Sequence, residues 1–278
     1  MSPTESDSVS QTGEMSFLQH LEALRWHLVR SAIAVAVLSV AAFFFKEIIF
    51  DGIILAPKHP DFPTYRAMCK LGRFLHMEDD FCIGEIKFRL QNIDLSGQFT
   101  THMMVSFISG LVLASPFIFW ELWKFIKPAL HDKERKYAGG IVFYTSALFL
   151  LGILFGYFVL SPFSVNFLAT YQVSAEVENI ISLDSFISTV TTLTLISGIV
   201  FELPVLVYFL TKLGLLTPKF MRDYRRHAVV VILILAAVIT PSADITTMLL
   251  TAFPLYLLYE ASIFVSHRVV NAKSKEAN

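Results

Sequence analysis

Three glutamates lie within or at the edge of long apolar stretches: Glu121, Glu202 and Glu260. A charge inside a bilayer costs at least about 2.5 kcal/mol, so such a group is protonated, paired or functional. Glu202 is the clearest case, because it stands two residues before Pro204 in a run that carries no other charge. It is expected either to hydrogen-bond a neighbouring helix or to form a polar site for a partner helix or a proton. Glu121 and Glu260 are weaker candidates, since each can reach an interface or a carbonyl.

A fourth carboxylate, Glu134, stands among Lys133, Arg135 and Lys136 just beyond an apolar run. On the residues alone, the simpler interpretation is a surface group that offsets the surrounding positive charge.

Nothing else in the sequence indicates an enzyme. It contains no H-E-x-x-H, G-x-S-x-G or P-loop motif, and its 8 histidines are scattered. No catalytic residue, metal site or cofactor is therefore predicted. A net charge of −1 gives no indication of nucleic-acid binding.

Composition and patterning predict an all-α membrane protein. The chain is 55% hydrophobic with a mean hydropathy of +0.61, and the apolar residues form blocks long enough to cross a bilayer. The fifth block has only about a dozen apolar residues, too few for a full crossing. Six spans are predicted, at residues 31–54, 103–123, 138–167, 186–210, 228–239 and about 246–265.

The distribution of basic residues orients these spans. Of the 22 Lys and Arg, 15 fall in the segments assigned to the cytoplasm, and Trp120 and Trp123 mark the end of the second span. Both termini are therefore expected inside, with no cleavable signal peptide. Residues 1–27 are predicted to form a flexible polar tail and the start of an amphipathic segment, 28–268 a membrane domain and 269–278 a cytoplasmic tail.

Prolines and cysteines add local predictions. Each proline at or within a span removes a backbone donor and can bend its helix, which together suggests a concave structure. Cys69 and Cys82 both lie in the long segment predicted to be external, and an oxidising compartment favours a disulfide between them. Closing this loop of about 14 residues would contribute roughly 3 kcal/mol in the chain-entropy model. The prolines concerned are Pro116, Pro162, Pro204, Pro241 and Pro254.

Several blocks across the chain resemble the TatC family, the integral subunit of the twin-arginine protein translocase. They occur in the expected order over nearly the whole sequence. The blocks are HLEALR at 20–25, AP at 56–57, ELWKFIKPALHDKER at 121–135, FELPV at 201–205, ITPSAD at 239–244 and PLYLLYE at 254–260.

The resemblance implies a receptor for twin-arginine signal peptides of folded proteins in the bacterial inner membrane. It would assemble with single-span TatA- and TatB-type subunits and use the proton-motive force; self-association is also expected. The implied fold is a kinked, glove-like concave bundle with short fifth and sixth helices.

Family site residues carry over by position. Arg25, Phe125 and Glu134 would bind the signal peptide, Glu202 would face the concave membrane side, and Asp244 would lie in the last external loop. The chain departs from the family at Ala23, where a glutamate is usual; Glu22 is one place earlier and faces elsewhere on a helix that turns about 100° per residue. The external loop is also longer than the family pattern.

Two other functions remain open from the sequence. A proton-coupled transporter of a small solute would use Glu202 and Asp244 as ligands near broken helices, although the halves show no repeat. A purely structural membrane scaffold would tolerate neutralisation of the carboxylates in the cytoplasmic loops.

Overall fold

The computed structural model describes residues 17–74, 89–127, 138–174, 176, 179–241 and 244–277, and most of these residues are helical. Its α-helices are α1 (Phe17–Phe44), α2 (Lys46–Ile49), α3 (Pro63–Phe74), α4 (Gly97–Ile126), α5 (Ala138–Phe155), α6 (Ser161–Thr170), α7 (Leu183–Val200), α8 (Leu203–Lys212), α9 (Pro218–Asp223), α10 (Arg225–Ile239) and α11 (Ile245–Ala277). Two short strands, β1 (Arg89–Gln91) and β2 (Ile180–Ser182), complete these elements.

Five helical stretches of the described chain are long and apolar enough to cross a membrane. Large apolar side chains remain exposed along them, for example Val37 and Phe44 on α1, which are 62% and 78% exposed. Such surfaces suit a lipid environment. The stretches are Leu21–Phe44, Gly97–Ile126, Gly140–Thr170, Leu183–Lys212 and Ile245–Ala272.

The prediction of a short fifth span is confirmed, and that of a short sixth helix is wrong. Helix α10 has 15 residues, which at about 1.5 Å per residue is too short for a hydrocarbon core of about 30 Å. Helix α11 has 33 residues, contains Pro254 in its interior and continues to Ala277. It continues because no proline or glycine follows Pro254, and helix-forming Ala, Lys and Glu residues occupy its end.

Two of the long helical stretches are interrupted beside a proline predicted to bend them, whereas Pro116 and Pro254 lie inside helices that continue through them. A π-helical segment, Gly156–Leu160, joins α5 to α6 immediately before Pro162. Helices α7 and α8 are separated at Phe201 and Glu202, and Pro204 occupies the first turn of α8. The break between α7 and α8 therefore includes Glu202.

The segment between α1 and α4 contains helix α3, which packs on the rest of the protein. Helix α3 is fixed by Tyr65, which is 2% exposed and whose hydroxyl lies 3.0 Å from the carbonyl of Pro57 and 3.1 Å from that of Pro162. Burial raises the pKa of this hydroxyl above its usual value. Thr64 also donates to the carbonyl of Phe158. Helix α3 thus forms a cap anchored to the junction of α5 and α6.

The same region contains the predicted disulfide and the two strands. The Cys69 sulfur, on α3, is engaged in a disulfide. Cys82 lies outside the described residues, so the Cys69–Cys82 pairing stays a prediction. β1 and β2 pair in parallel, with Leu90 opposite Ile181, and tie this segment to the start of α7.

Helices α1 and α4 pack as an antiparallel pair with contacts near both ends and in the middle. At one end, His27 meets Glu121. In the middle, a Cβ added to Gly110 would lie 2.2 Å from Ser39 Oγ. At the far end, the His102 ring stacks on Phe43 with a centroid distance of 4.0 Å. The pair is therefore held at fixed register by polar, close-packed and aromatic contacts.

Helices α5 and α7 also approach closely through small residues. Gly152 and Gly156 are one turn apart, and a Cβ added to them would lie 2.6 Å from the Ser197 carbonyl oxygen and 2.8 Å from that of Leu193. Small residues at such spacing allow helix backbones to meet in membranes, where dispersion replaces the hydrophobic effect as the packing force.

We predict that Gly110→Ala destabilises the protein, because the new methyl group would overlap Ser39 and force α1 away from α4. Overpacking of this kind costs about 1–3 kcal/mol, which for a chain of this size lowers the melting temperature by at least about 2 °C. Gly140→Ala is the matched control, since nothing lies within 4 Å of its added Cβ. Thermal unfolding in detergent measures both, and equal melting temperatures would contradict the proposed close contact.

Candidate functional site

A buried carboxylate lies where α1 begins and α4 ends. Glu121 is 1% exposed and its Oε2 is 2.6 Å from His27 Nδ1. Its Oε1 is 3.1 Å from Lys124 Nζ, and Arg30 Nη1 is 3.7 Å from Oε2. We call His27, Arg30, Glu121 and Lys124 the Glu121 cluster. Burial of this carboxylate is possible because cations from both helices surround it.

Local sequence explains how these side chains meet. Lys124 follows Glu121 by three residues, which puts both on one face of α4. Its ammonium also lies 3.1 Å from the ring centroid of Trp120, a cation–π contact at the end of the span. His27 reaches the cluster from α1, where Ser31 donates to its carbonyl oxygen at 2.9 Å. Glu121 therefore takes part in two contacts at once, one with Lys124 within α4 and one with His27 on α1.

The predicted signal-peptide residues are partly brought together here. Phe125 is half-buried one turn beyond Glu121, and its ring meets the His27 ring edge-on at a centroid distance of 6.2 Å. Arg25 and Glu22 are exposed on the first turns of α1. Glu134 lies outside the described residues. The structure thus associates Phe125 with the helix that carries Arg25 and Glu22.

A second polar group lies in an apolar cavity of about 210 Å³ between α4, α5 and α8. Neither carboxylate oxygen of Glu202 has a hydrogen-bond partner of good geometry among the described residues, although the main chain of Phe149 is nearby. Trp123 Nε1, also at this cavity, is buried and lacks a partner in the same part of the chain. An acceptor and a donor therefore share one apolar cavity without being paired to each other.

The remaining candidates have local partners. Asp244 immediately precedes α11, and its carboxylate oxygens accept from the Thr247 amide at 3.3 and 3.2 Å, which caps the helix. Glu260 Oε2 is 2.6 Å from Arg225 Nη2. Within the described residues, no group of three or more His, Cys, Asp or Glu side chains could hold a metal ion. Asp244 does not line the Glu202 cavity, so the two do not form the shared site that a transporter would need.

Sequence reasoning missed most of the Glu121 cluster. It noted Glu121 as a weak candidate and did not consider His27, Arg30 or Lys124. His27 is 94 residues away from Glu121 in the chain, so no local motif links them. One signal in the sequence was the presence of Glu121 in an apolar helix. A carboxylate in that environment predicts a cationic partner on a neighbouring element.

Comparisons with known proteins agree with the fold. The family model described as "Sec-independent protein translocase protein (TatC)" matches residues 19–254. A TatC protein of Blattabacterium sp. subsp. Periplaneta americana is 41% identical over 265 residues, covering 95% of this chain and 99% of the relative. TatC of Carboxydothermus hydrogenoformans is 32% identical, covering 91% and 93%. TatCy of Bacillus subtilis is 31% identical, covering 96% and 94%.

A solved structure extends this similarity to three dimensions. The crystal structure of the "Twin Arginine Translocase Receptor- TatC" superposes with a TM-score of 0.67 at 30% identity, covering 90% of this chain and 99% of the other. The fold and site define an all-α, multi-pass membrane protein that takes part in protein transport and is not an enzyme. The chain belongs to the TatC family of Sec-independent protein translocase proteins.

Proposed function

We propose that this protein binds twin-arginine signal peptides at the end of the molecule where α1 begins and α4 ends. The observation that carries the proposal is the contact between the two helices at this end, where the Phe125 ring meets the His27 ring. Arg25, Glu22 and Phe125 would contribute from the helices, and Glu134 from the segment that follows α4. The similar protein of known structure is described as a twin-arginine translocase receptor, which supports the proposal.

The chemistry of such a peptide explains why a carboxylate is needed. The segment around Glu134 is strongly basic and would repel two adjacent arginines. Glu134 offers the bidentate partner that a guanidinium prefers, and each charge-assisted hydrogen bond contributes about 1.5–3 kcal/mol. Phe125 would add an apolar or cation–π surface beside it. Recognition would therefore favour arginine over lysine.

The proposed orientation follows from charge. Basic residues accumulate on the segments at the α1–α4 end, which supports a cytoplasmic location for that end in a bacterial cell, with the inner membrane as the proposed location. Both termini would be cytoplasmic. Residues 1–27 and 269–278 would then flank a membrane domain at 28–268, and helix α11 would extend into the cytoplasmic side.

The Glu202 cavity is proposed as the contact for a single-span partner of the TatA or TatB type. Unpaired polar groups in an apolar environment are costly, so a partner helix that presents a donor to Glu202 or an acceptor to Trp123 would be favoured. The lining is otherwise apolar and suits a transmembrane helix, with Phe119, Val142 and Phe209 among its side chains. Self-association of the chain also stays a prediction.

We predict that Glu134→Gln and Glu134→Lys lower the affinity for a twin-arginine precursor by about tenfold or more, with Lys the worse because it adds repulsion. Membrane insertion and partner binding should be unchanged. Glu47→Lys is the control, since Glu47 lies beyond the opposite end of α1. Precursor affinity is measured in membranes at matched protein levels, and wild-type affinity in Glu134→Lys would refute the assignment.

We predict that Glu202→Gln retains export better than Glu202→Leu, which is close in size but has no polar atom. The amide keeps a donor and an acceptor for a partner helix, whereas a leucine keeps neither. Export and cross-linking to the partner are measured together, with a several-fold loss expected for Leu in both. If Gln abolishes export as fully as Leu while cross-linking is unchanged, helix docking is not the role of Glu202 and a proton-carrying role is favoured.

A further inference from the structure

The Glu121 cluster has a feature that a general structural role does not require: it joins the two helices that carry the proposed peptide-binding residues. Lys124 lies on α4 with Glu121, so among the described residues the carboxylate is connected to α1 through His27 and Arg30. Arg30 is the looser link, at 3.7 Å with its side chain 56% exposed. His27, at 2.6 Å with its side chain 19% exposed, is therefore the principal bridge.

This bridge fixes the rotation of α1. An α-helix turns about 100° per residue, so Arg25 lies about 200° around the axis from His27. With His27 held against α4, Arg25 is directed away from α4, in agreement with its exposure. Glu22, three residues before Arg25, shares that exposed face. If α1 rotated, Arg25 would turn toward α4 and the Phe125 ring would lose its edge-on contact with His27.

We infer that His27 and Glu121 are positioning residues for signal-peptide binding: their contact sets the rotation of α1, and so keeps Arg25 on the exposed face of α1 while the Phe125 ring stays against His27. The inference rests on the proposed function, because it assumes that these residues form the peptide site. Neither His27 nor Glu121 needs to touch the peptide. Glu121 in particular is buried and already surrounded by cations, so it has little capacity for a further arginine.

The sequence offers a way to restore the bridge from a different position. Ala23 is half-buried and lies one turn before His27, on the same face of α1. A glutamate there would lie beside His27 and could reach Lys124 on α4 across the same junction. Ala23→Glu in a Glu121→Gln background would thus return a carboxylate to the cluster from the opposite helix.

The experiment uses the full-length protein in nanodiscs with two readouts. Hydrogen exchange of the α1 amides at 21–27 reports how firmly α1 is held, and affinity for a twin-arginine peptide reports the site. His27→Leu and Glu121→Gln are each expected to speed exchange and to weaken binding by about tenfold. His27→Gln, whose amide keeps a donor, should lose less, and the Ala23→Glu/Glu121→Gln pair should recover both readouts. Glu47→Gln is the matched control, since Glu47 is exposed beyond the opposite end of α1, and it should leave exchange at 21–27 unchanged.

Two results would overturn the inference. Unchanged exchange in both single variants would mean that the pair does not hold α1. Faster exchange with wild-type affinity, while Glu134→Lys weakens binding in the same assay, would mean that the site is correct but does not depend on this bridge. If Glu134→Lys also binds the peptide normally, the proposed receptor site itself fails, and the positioning role fails with it.

Discussion

The end of the molecule where α1 begins and α4 ends depends on one constraint, the burial of the Glu121 carboxylate. A charged group that is 1% exposed is tolerable only with partners in place, and removing one partner of a buried pair costs about 3–5 kcal/mol. The nearest partner, His27, belongs to a different helix. The requirement to satisfy Glu121 therefore forces α1 and α4 into one register, which the close approach of Gly110 to Ser39 then reinforces.

The contact between α5 and α7 is formed differently, through small residues instead of paired charges. Gly152 and Gly156 let α5 lie directly against the backbone of α7, and no charge is needed there. Pro204 cannot donate a backbone hydrogen bond to the end of α7, so α7 and α8 are separate helices and Glu202 falls at the break between them. This leaves an unpaired carboxylate beside an apolar cavity, a feature that the protein alone does not require for stability. This unpaired carboxylate is the reason that a partner-helix contact is proposed for the cavity.

The sequence predicts the spans well and the contacts between them poorly. Apolar length locates each span, and the short run before Thr240 predicts that α10 is too short to cross a bilayer. The length of α11 is missed because the span was predicted from its apolar residues. The polar residues that follow still have high helix propensity, so the helix continues through them. The cap built on Tyr65 depends on the carbonyl of Pro162, which is 97 residues distant. Pairings of this kind carry no local periodicity, so the role of Glu121 also becomes visible only in three dimensions.

Recognition of the arginine pair of a signal peptide is proposed for the end of the molecule where α1 begins and α4 ends. It can be tested by site-specific photocross-linking, with the photoreactive residue placed at exposed Leu122, beside Phe125 and outside the Glu121 cluster. We expect cross-links to a precursor that carries two adjacent arginines, and several-fold weaker cross-links to the same precursor with two lysines. Equal cross-linking of the two precursors, or none to either at matched protein levels, would contradict the claim.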